Sequence, residues 1–355
     1  MRSSPLARLL LFVYVALVVY ASLYPLSGWR DHGLSPFDFL AAPWPRYVLA
    51  FDVAADVLGY TALGLLAVLA LYPGLRGGMA VMAATAGGAL LSLAMEATQT
   101  YLPARVPSNV DVLCNTAGAL AGALAGLRAR RWVLEPGPLG SWRARAFLPG
   151  AQADLGLALL GLWLFMQLNP AMLLFGGGDL RDLLSGPAGP ARAPELFVAI
   201  EAVTAAANLA AVALLVSAIA RPGAPLRTMV LALVFAALAV KTLAFAIILH
   251  AEDSFAWLTR GALQGLAVGL ALAMLALSLP RVARLALAAV LLMAAAVLVN
   301  LAPPNPYLAA MLKLWQQGHF LNFNGLTRLV ALLWPFGAIA FLIYVAARRR
   351  DEALR

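Results

Sequence analysis

Three features of the sequence predict an all-α, polytopic membrane protein of about ten transmembrane helices with both termini cytoplasmic. The 355-residue chain is 63% hydrophobic and only 12% charged, with a mean hydropathy of +0.87. Its apolar runs are too long for the core helices of a soluble domain, each approaching the roughly 20 residues that a hydrocarbon core requires. Its Lys and Arg residues are unevenly divided between alternate connecting segments, and that asymmetry sets the orientation.

The spans read as residues 6–26, 48–72, 78–95, 108–127, 153–175, 195–220, 226–250, 258–279, 282–301 and 326–346. The first follows Arg2 and Arg8 like a signal peptide, but no small-x-small cleavage site comes after it, so it is read as a retained anchor. With the N-terminus inside, the cytoplasmic segments hold sixteen of the 25 Lys and Arg, the outer segments hold eight, and Lys241 lies within a span. The dense run from Arg128 to Arg145 and the cluster Arg348 to Arg350 then meet anionic head groups on the inner face. Because the basic residues are spread over loops, the net charge of +9 is explained without a nucleic-acid partner. Membrane lipids are the first partners implied.

The loop carrying EPGPLGSW divides the chain. Residues 1–130 form a four-helix membrane domain and 131–152 a basic cytoplasmic linker. Residues 153–355 form a six-helix membrane domain with an aromatic outer loop at 302–326. No internal repeat is evident, which leaves the inverted repeats of secondary transporters unsupported. The single cysteine, Cys114, excludes an intramolecular disulfide and a cysteine-based metal site. His32, His250 and His319 are too scattered for a recognised metal spacing, and no cofactor is expected.

Polar residues gather where the third and fourth spans meet, in EATQTYLPARVPSNVDVLCN. Glu96 and Gln99 are three apart on one helical face, and Asp111 and Asn115 are four apart on another. Arg105 lies in the turn between Pro103 and Pro107, whose fixed dihedrals stiffen it. A guanidinium between two acidic helix ends suits either a carboxylate pair or an anionic ligand; its plainer role is to staple the hairpin. Asp111 also stands near a helix start behind the candidate caps Ser108 and Asn109. Asp52 and Asp56, at i and i+4 in the second span, either share a proton as an acid/base pair or are neutralised by Arg105 and Arg46. Gly118, Gly122 and Gly126 follow at small-xxx-small spacing and predict close packing of the fourth span on a neighbour.

These residues resemble the signature of the VanZ-like family of bacterial membrane proteins, named for a teicoplanin-resistance factor. The pattern E-x-x-Q, P-x-R, D-x-x-x-N-x-x-G-x-x-x-G is carried by Glu96, Gln99, Pro103, Arg105, Asp111, Asn115, Gly118 and Gly122. The second span is similar to the family through Asp52, Tyr60, Leu63 and Gly64, and departs at Asp56, where the family more often has Asn or His. The resemblance covers about residues 1 to 130 and implies a four-helix fold at the bacterial cytoplasmic (inner) membrane and a link to the cell envelope; it supplies no reaction. The ending WQQGHFLNFNGLTRLVALLWP resembles the C-terminus of longer family members, implying a long form with a C-terminal membrane extension.

In the C-terminal half Lys241 lies nine residues from the outer end of its span, and Glu201 six residues into the preceding one. They are secondary candidates, as an ion pair or as a ligand or proton site, together with His319 in the aromatic loop. Gln167, Asn169, Gln264 and Asn300 also fall toward outer helix ends.

Three classes of function follow. The leading one is a protein presenting an outward-facing polar pocket that binds or remodels an envelope lipid or glycan, with an effect on glycopeptide susceptibility. The second is an intramembrane enzyme on a lipid-linked substrate, with Asp52, Asp56, Glu96 and Asp111 as candidate carboxylates. The third is a transporter, which would need polar residues through the inner half of the bundle, where Ala, Leu and Val prevail. No nucleophile motif, phosphate loop or metal triad decides among them. Oligomeric state is not legible.

Overall fold

The computed structural model describes residues 4–31, 33, 35–45, 49–134, 136–181, 193–248, 251–303 and 321–353. Among the described residues there are eleven α-helices and no β-strand. They are α1 (Pro5–Leu23), α2 (Ala50–Leu71), α3 (Gly77–Gln99), α4 (Asn109–Val133), α5 (Pro138–Ala146), α6 (Ala151–Met166), α7 (Pro194–Ile219), α8 (Leu226–Ile248), α9 (Arg260–Ala276), α10 (Arg281–Leu301) and α11 (Leu321–Ala353). Eight of these, α1 to α4, α7, α8, α10 and α11, are long and apolar enough to cross a membrane. The chain is an all-helical, multi-pass membrane protein. Helices α6 and α9, of 16 and 17 residues, lie where the sequence predicts two further spans. At 1.5 Å per residue they reach only about 24 to 26 Å. The chain divides into two compact units, Met1–Arg145 and Ala146–Arg355.

In the first unit, Ser4 caps α1 by accepting the Ala7 N–H at 3.2 Å, and Pro5 supplies the preset φ of a helix start. The unit is held by the approach of α4 to α2. Gly118, Gly122 and Gly126 face Val57, Thr61 and Leu65 one turn after another, backbone against backbone. A Cβ added at Gly122 would lie 2.7 Å from the Thr61 carbonyl carbon and 2.8 Å from its Cα, so only glycine permits this spacing. The Thr61 hydroxyl exploits it, lying 2.7 Å from the Val57 oxygen in its own helix and 3.2 Å from the Gly118 oxygen across the interface. Helix α1 leans on α2 through the Tyr14 hydroxyl, which donates to the Gly59 carbonyl at 2.8 Å.

The second unit is built around α7, buried continuously from Thr204 to Ile219, with α9, α10, α6, α8 and α11 packed against it. A helix apolar on every face suits such a central position, shielded from water by protein on all sides. The predicted fifth span, 153–175, ends earlier than expected: α6 stops at Met166, and residues 167–180 are not helical. Asn169 precedes Pro170, whose ring disfavours the helical conformation before it and removes an amide donor. Buried backbone that leaves a helix needs new partners, and three side chains supply them. Gln167 Oε1 accepts the Phe175 N–H at 3.3 Å. Asn169 Oδ1 accepts the Ala171 N–H at 2.9 Å. Asn300 Oδ1 accepts the Leu180 N–H at 2.7 Å, while its Nδ2 donates to the Gly178 carbonyl at 2.6 Å.

A second break in regular structure completes this clamp. Pro335 lies inside α11 and has no N–H for the carbonyl four residues before it, that of Ala331. That carbonyl instead accepts the N–H of Gly178 at 2.8 Å. Gly178 has φ of +78°, and a Cβ there would stand 3.2 Å from the Ala296 Cβ and 3.3 Å from Pro335 Cγ, so glycine meets both requirements.

Candidate functional site

One end of the first unit collects the C-terminus of α1, the N-terminus of α2, the C-terminus of α3 and the N-terminus of α4. Direct contacts tie the connecting segments together there. Gln99 Nε2 donates to the Ser22 carbonyl at 2.9 Å, Arg30 N–H to the Tyr101 carbonyl at 3.0 Å, and Asn109 Nδ2 to the Ala42 carbonyl at 2.8 Å. Gln99 thus spends its amide on bracing α1 to α3.

Arg105 has a similar task. Its Nε donates to the Tyr24 carbonyl at 3.0 Å and a terminal nitrogen to the Ala21 carbonyl at 2.8 Å, closing the open end of α1. Carbonyls in a last helical turn lack intrahelical donors, and a guanidinium is a natural cap for them. Burial works against its charge and shifts it below the usual guanidinium range, while Glu96 acts in the opposite direction. Of the two acidic helix ends expected to hold this guanidinium, Glu96 acts on it through space, and these two bonds go to main chain.

Glu96, buried on α3, reaches over to α4: its Oε2 accepts the N–H of Ser108 at 2.8 Å. Ser108 is the N-cap of α4, and its hydroxyl accepts the Asp111 N–H at 3.3 Å. In a capping box the acid at the third helical position takes the N-cap amide. Here Glu96 takes it from another helix, which fixes where α4 begins relative to α3.

Behind these caps lies a buried amide. Asn115 Nδ2 donates to Ser92 Oγ at 2.9 Å, and Ser92 is itself within hydrogen-bonding reach of the Tyr60 hydroxyl, so α4, α3 and α2 each give one member. Asn115 is only 5% exposed, and its Oδ1 is buried with no hydrogen-bond partner among the described residues. Asp56 on α2 and Asp111 on α4 complete the cluster. The charges acting on Asp56 are those of Asp111 and Asp52, and Asp52 also acts on Asp111. Glu96 senses both Asp111 and Asp56. Of the residues singled out in the sequence, Asp52, Asp56, Glu96, Asp111 and Asn115 thus come together, whereas Gln99 and Arg105 brace α1 beside them. Ser92 was invisible in the sequence, because a lone serine in an Ala-rich span carries no pattern.

Residues 9–130 match the VanZ/LLP1 family model. The N-terminal unit is VanZ-like. No curated protein and no solved structure matches the chain. The VanZ-like match ends in the last turn of α4, so the C-terminal unit stands on its own geometry.

There Lys241, only 1% exposed, donates from Nζ to the Asn169 carbonyl at 2.7 Å and the Met172 carbonyl at 2.9 Å. Its ammonium also lies 5.7 Å from the centre of the Phe245 ring. Glu201 acts on Lys241 through space, but its Oε2 accepts the Thr259 hydroxyl at 2.7 Å, where Thr259 caps α9. Both candidates are therefore built into structure: Lys241 holds the non-helical 167–180 segment, and Glu201 holds a helix start. Asn169 Nδ2 adds a bond to Thr327 Oγ1 at 3.1 Å. At the edge of this segment Arg181 pairs with Asp179 and donates to the Ala302 and Pro303 carbonyls, both at 3.2 Å. Burial opposes the Asp179 charge, yet the bonds from Arg181 hold its carboxyl below the usual carboxylate range. A small cavity of about 40 Å³ adjoins Arg181, lined by Leu173, Phe197, Ile200 and Val299. His319 and most of the 302–326 loop lie outside the described residues.

Proposed function

We propose that the VanZ-like unit binds the head group of an envelope lipid or glycan at its polar end. In this reading the protein sits in the bacterial inner membrane with both termini cytoplasmic, so that the polar end faces outward. The observation that carries it is the buried, unpartnered Asn115 Oδ1, set in a cluster drawn from three helices. Burying an acceptor without a donor costs about 1–3 kcal/mol, a cost that a ligand donor would remove. The C-termini of α1 and α3 and the N-terminus of α4 are locked together by Gln99, Arg105 and Glu96, which prepares the site before anything binds. Sequestering or presenting such a head group would alter what a glycopeptide such as teicoplanin meets at the envelope.

Native mass spectrometry of the full chain, released from a bacterial inner membrane, tests this reading. Wild type should retain a lipid or glycan mass that Asn115→Ala loses at comparable thermal stability. Retention of no such mass, or equal retention by both proteins, refutes the head-group reading. A second reading, transport, draws on the non-helical, buried 167–180 segment, because broken helices line substrate sites in transporters. Solute uptake into vesicles that Lys241→Met abolishes would favour it.

A further inference from the structure

One end of the second unit brings the start of α8 beside the turn that follows α9. Between them is a cavity of about 330 Å³, lined by Arg227, Thr228 and Ser278 together with Pro225, Leu226 and Leu277. No carboxylate belongs to this lining. Two other arginines at this end are committed to main chain: Arg221 Nε donates to the Phe147 carbonyl at 3.0 Å, and a terminal nitrogen of Arg281 to the Ala218 carbonyl at 2.6 Å. Arg227, by contrast, is exposed and has no hydrogen bond or ion pair among the described residues. Apolar surface continues from the cavity along both helices. Leu231 and Phe235 follow Arg227 at four-residue steps on α8, and Leu275, Leu272 and Val268 run back from Ser278 at steps of three and four on α9; all five are exposed.

From this arrangement we infer that the cavity seats the head group of an anionic phospholipid. Its phosphodiester lies on Arg227, with the Thr228 and Ser278 hydroxyls as further donors, and its acyl chains lie on the exposed apolar faces of α8 and α9. A guanidinium matches phosphate oxygens through paired, charge-assisted N–H bonds. A zwitterionic head group brings a cation for which the lining has no carboxylate. A soluble phosphate would leave the apolar faces without a role. In the orientation proposed above this end faces the cytoplasm, where the leaflet is anionic. The site lies in the other unit from the polar end that carries the functional proposal, so the two can fail separately.

The test is photo-crosslinking of the delipidated full chain in detergent, using phosphatidylglycerol with a diazirine near its head group and mapping the adducts by peptide mass spectrometry. Adducts should fall within 225–231 and 275–278. Unlabelled phosphatidylglycerol should displace them at least about fivefold more effectively than phosphatidylcholine of the same acyl chains. Arg227→Gln should cut the labelling at least about fivefold at unchanged thermal stability, and Ser278→Trp, which fills the cavity, should do the same. Arg348→Gln removes an exposed charge from the last turns of α11 and should leave the labelling intact. Adducts elsewhere only, undiminished labelling in Arg227→Gln, or equal displacement by the two lipids overturns the site. Equal losses in Arg227→Gln and Arg348→Gln overturn it in favour of diffuse surface charge. Displacement by inorganic phosphate as effective as by phosphatidylglycerol overturns the lipid assignment in favour of a soluble anion.

Discussion

Gly122→Ala should separate α2 from α4, and its effect follows from the geometry of that interface. The new methyl would stand 2.7 Å from the Thr61 carbonyl carbon and 2.8 Å from its Cα. Ordinary contact between carbon atoms is about 3.5–4.0 Å, so one helix must retreat by about 1 Å. Both obstructing atoms are backbone, so no rotamer change relieves them. Overpacking of this kind typically costs about 1–3 kcal/mol, against which Gly→Ala returns at most about 1 kcal/mol of helix propensity. The retreat would also lengthen the 3.2 Å contact between the Thr61 hydroxyl and the Gly118 oxygen. A matched control is available at Gly87 on α3, where an added Cβ meets nothing within 4 Å. Thermal unfolding of both variants in one detergent, followed by Trp fluorescence, should show Gly122→Ala melting lower than wild type and Gly87→Ala no lower. If the two variants melt alike, the close approach of α2 and α4 does not support this unit.

Three other perturbations have expected outcomes. Arg105→Ala should free the end of α1 by removing the donors to Ala21 and Tyr24, costing about 1.5–3 kcal/mol for a charged hydrogen-bonding group; faster amide hydrogen exchange around residues 20–26 with intact exchange protection in α4 would verify it. Lys241→Met preserves the volume of the side chain but strands the Asn169 and Met172 carbonyls, so the second unit should lose about 2–4 kcal/mol and exchange should rise across 167–180 before it rises in α7. Asp179 has a folded-state carboxyl held below its ordinary range, so the stability it contributes is present above that range and is lost as pH falls through the depressed value. The pair is partly exposed and worth at most about 1 kcal/mol, so Asp179→Asn should lower the melting temperature slightly near pH 7 and flatten its shallow acid-limb dependence, the variant and wild type converging as the pH falls through the depressed value.

Much of the helical framework was legible because a hydrocarbon core imposes length and composition on every span. Each of the ten predicted spans overlaps a helix, the fifth only as far as Met166, and the glycine stripe on α4 meets a neighbour at close range as its four-residue spacing implies. The polar cluster was legible as a set of residues, since charges and amides in an apolar chain stand out. Their division of labour was not. From Arg105 alone, a carbonyl cap on α1 and an anion site look the same, because the carbonyls it binds belong to residues 81 and 84 positions earlier in the chain. Ser92 escaped notice because its role depends entirely on which neighbours α2 and α4 bring to it.

The early end of α6 teaches a different lesson. Hydropathy runs unbroken through 153–175, because Leu, Phe and Met continue past the last helical turn. What ends the helix is Pro170 with Asn169 before it, and what makes the ending tolerable lies far away in sequence: Asn300, Lys241 and the Ala331 carbonyl released by Pro335. Each of these looks like a local anomaly when read alone, as a polar residue near a helix end, a charge within a span and a proline inside a helix. Together they form one solution, in which buried amides and carbonyls that one broken helix leaves open are answered by another broken helix and two side chains. An intramembrane charge is a functional candidate by default, but Lys241 earns its burial by holding backbone. In the first unit Asn115 Oδ1 is left without such an answer among the described residues, on a helix that also brings Asp111 toward Asp56, and that combination is why the functional proposal rests there.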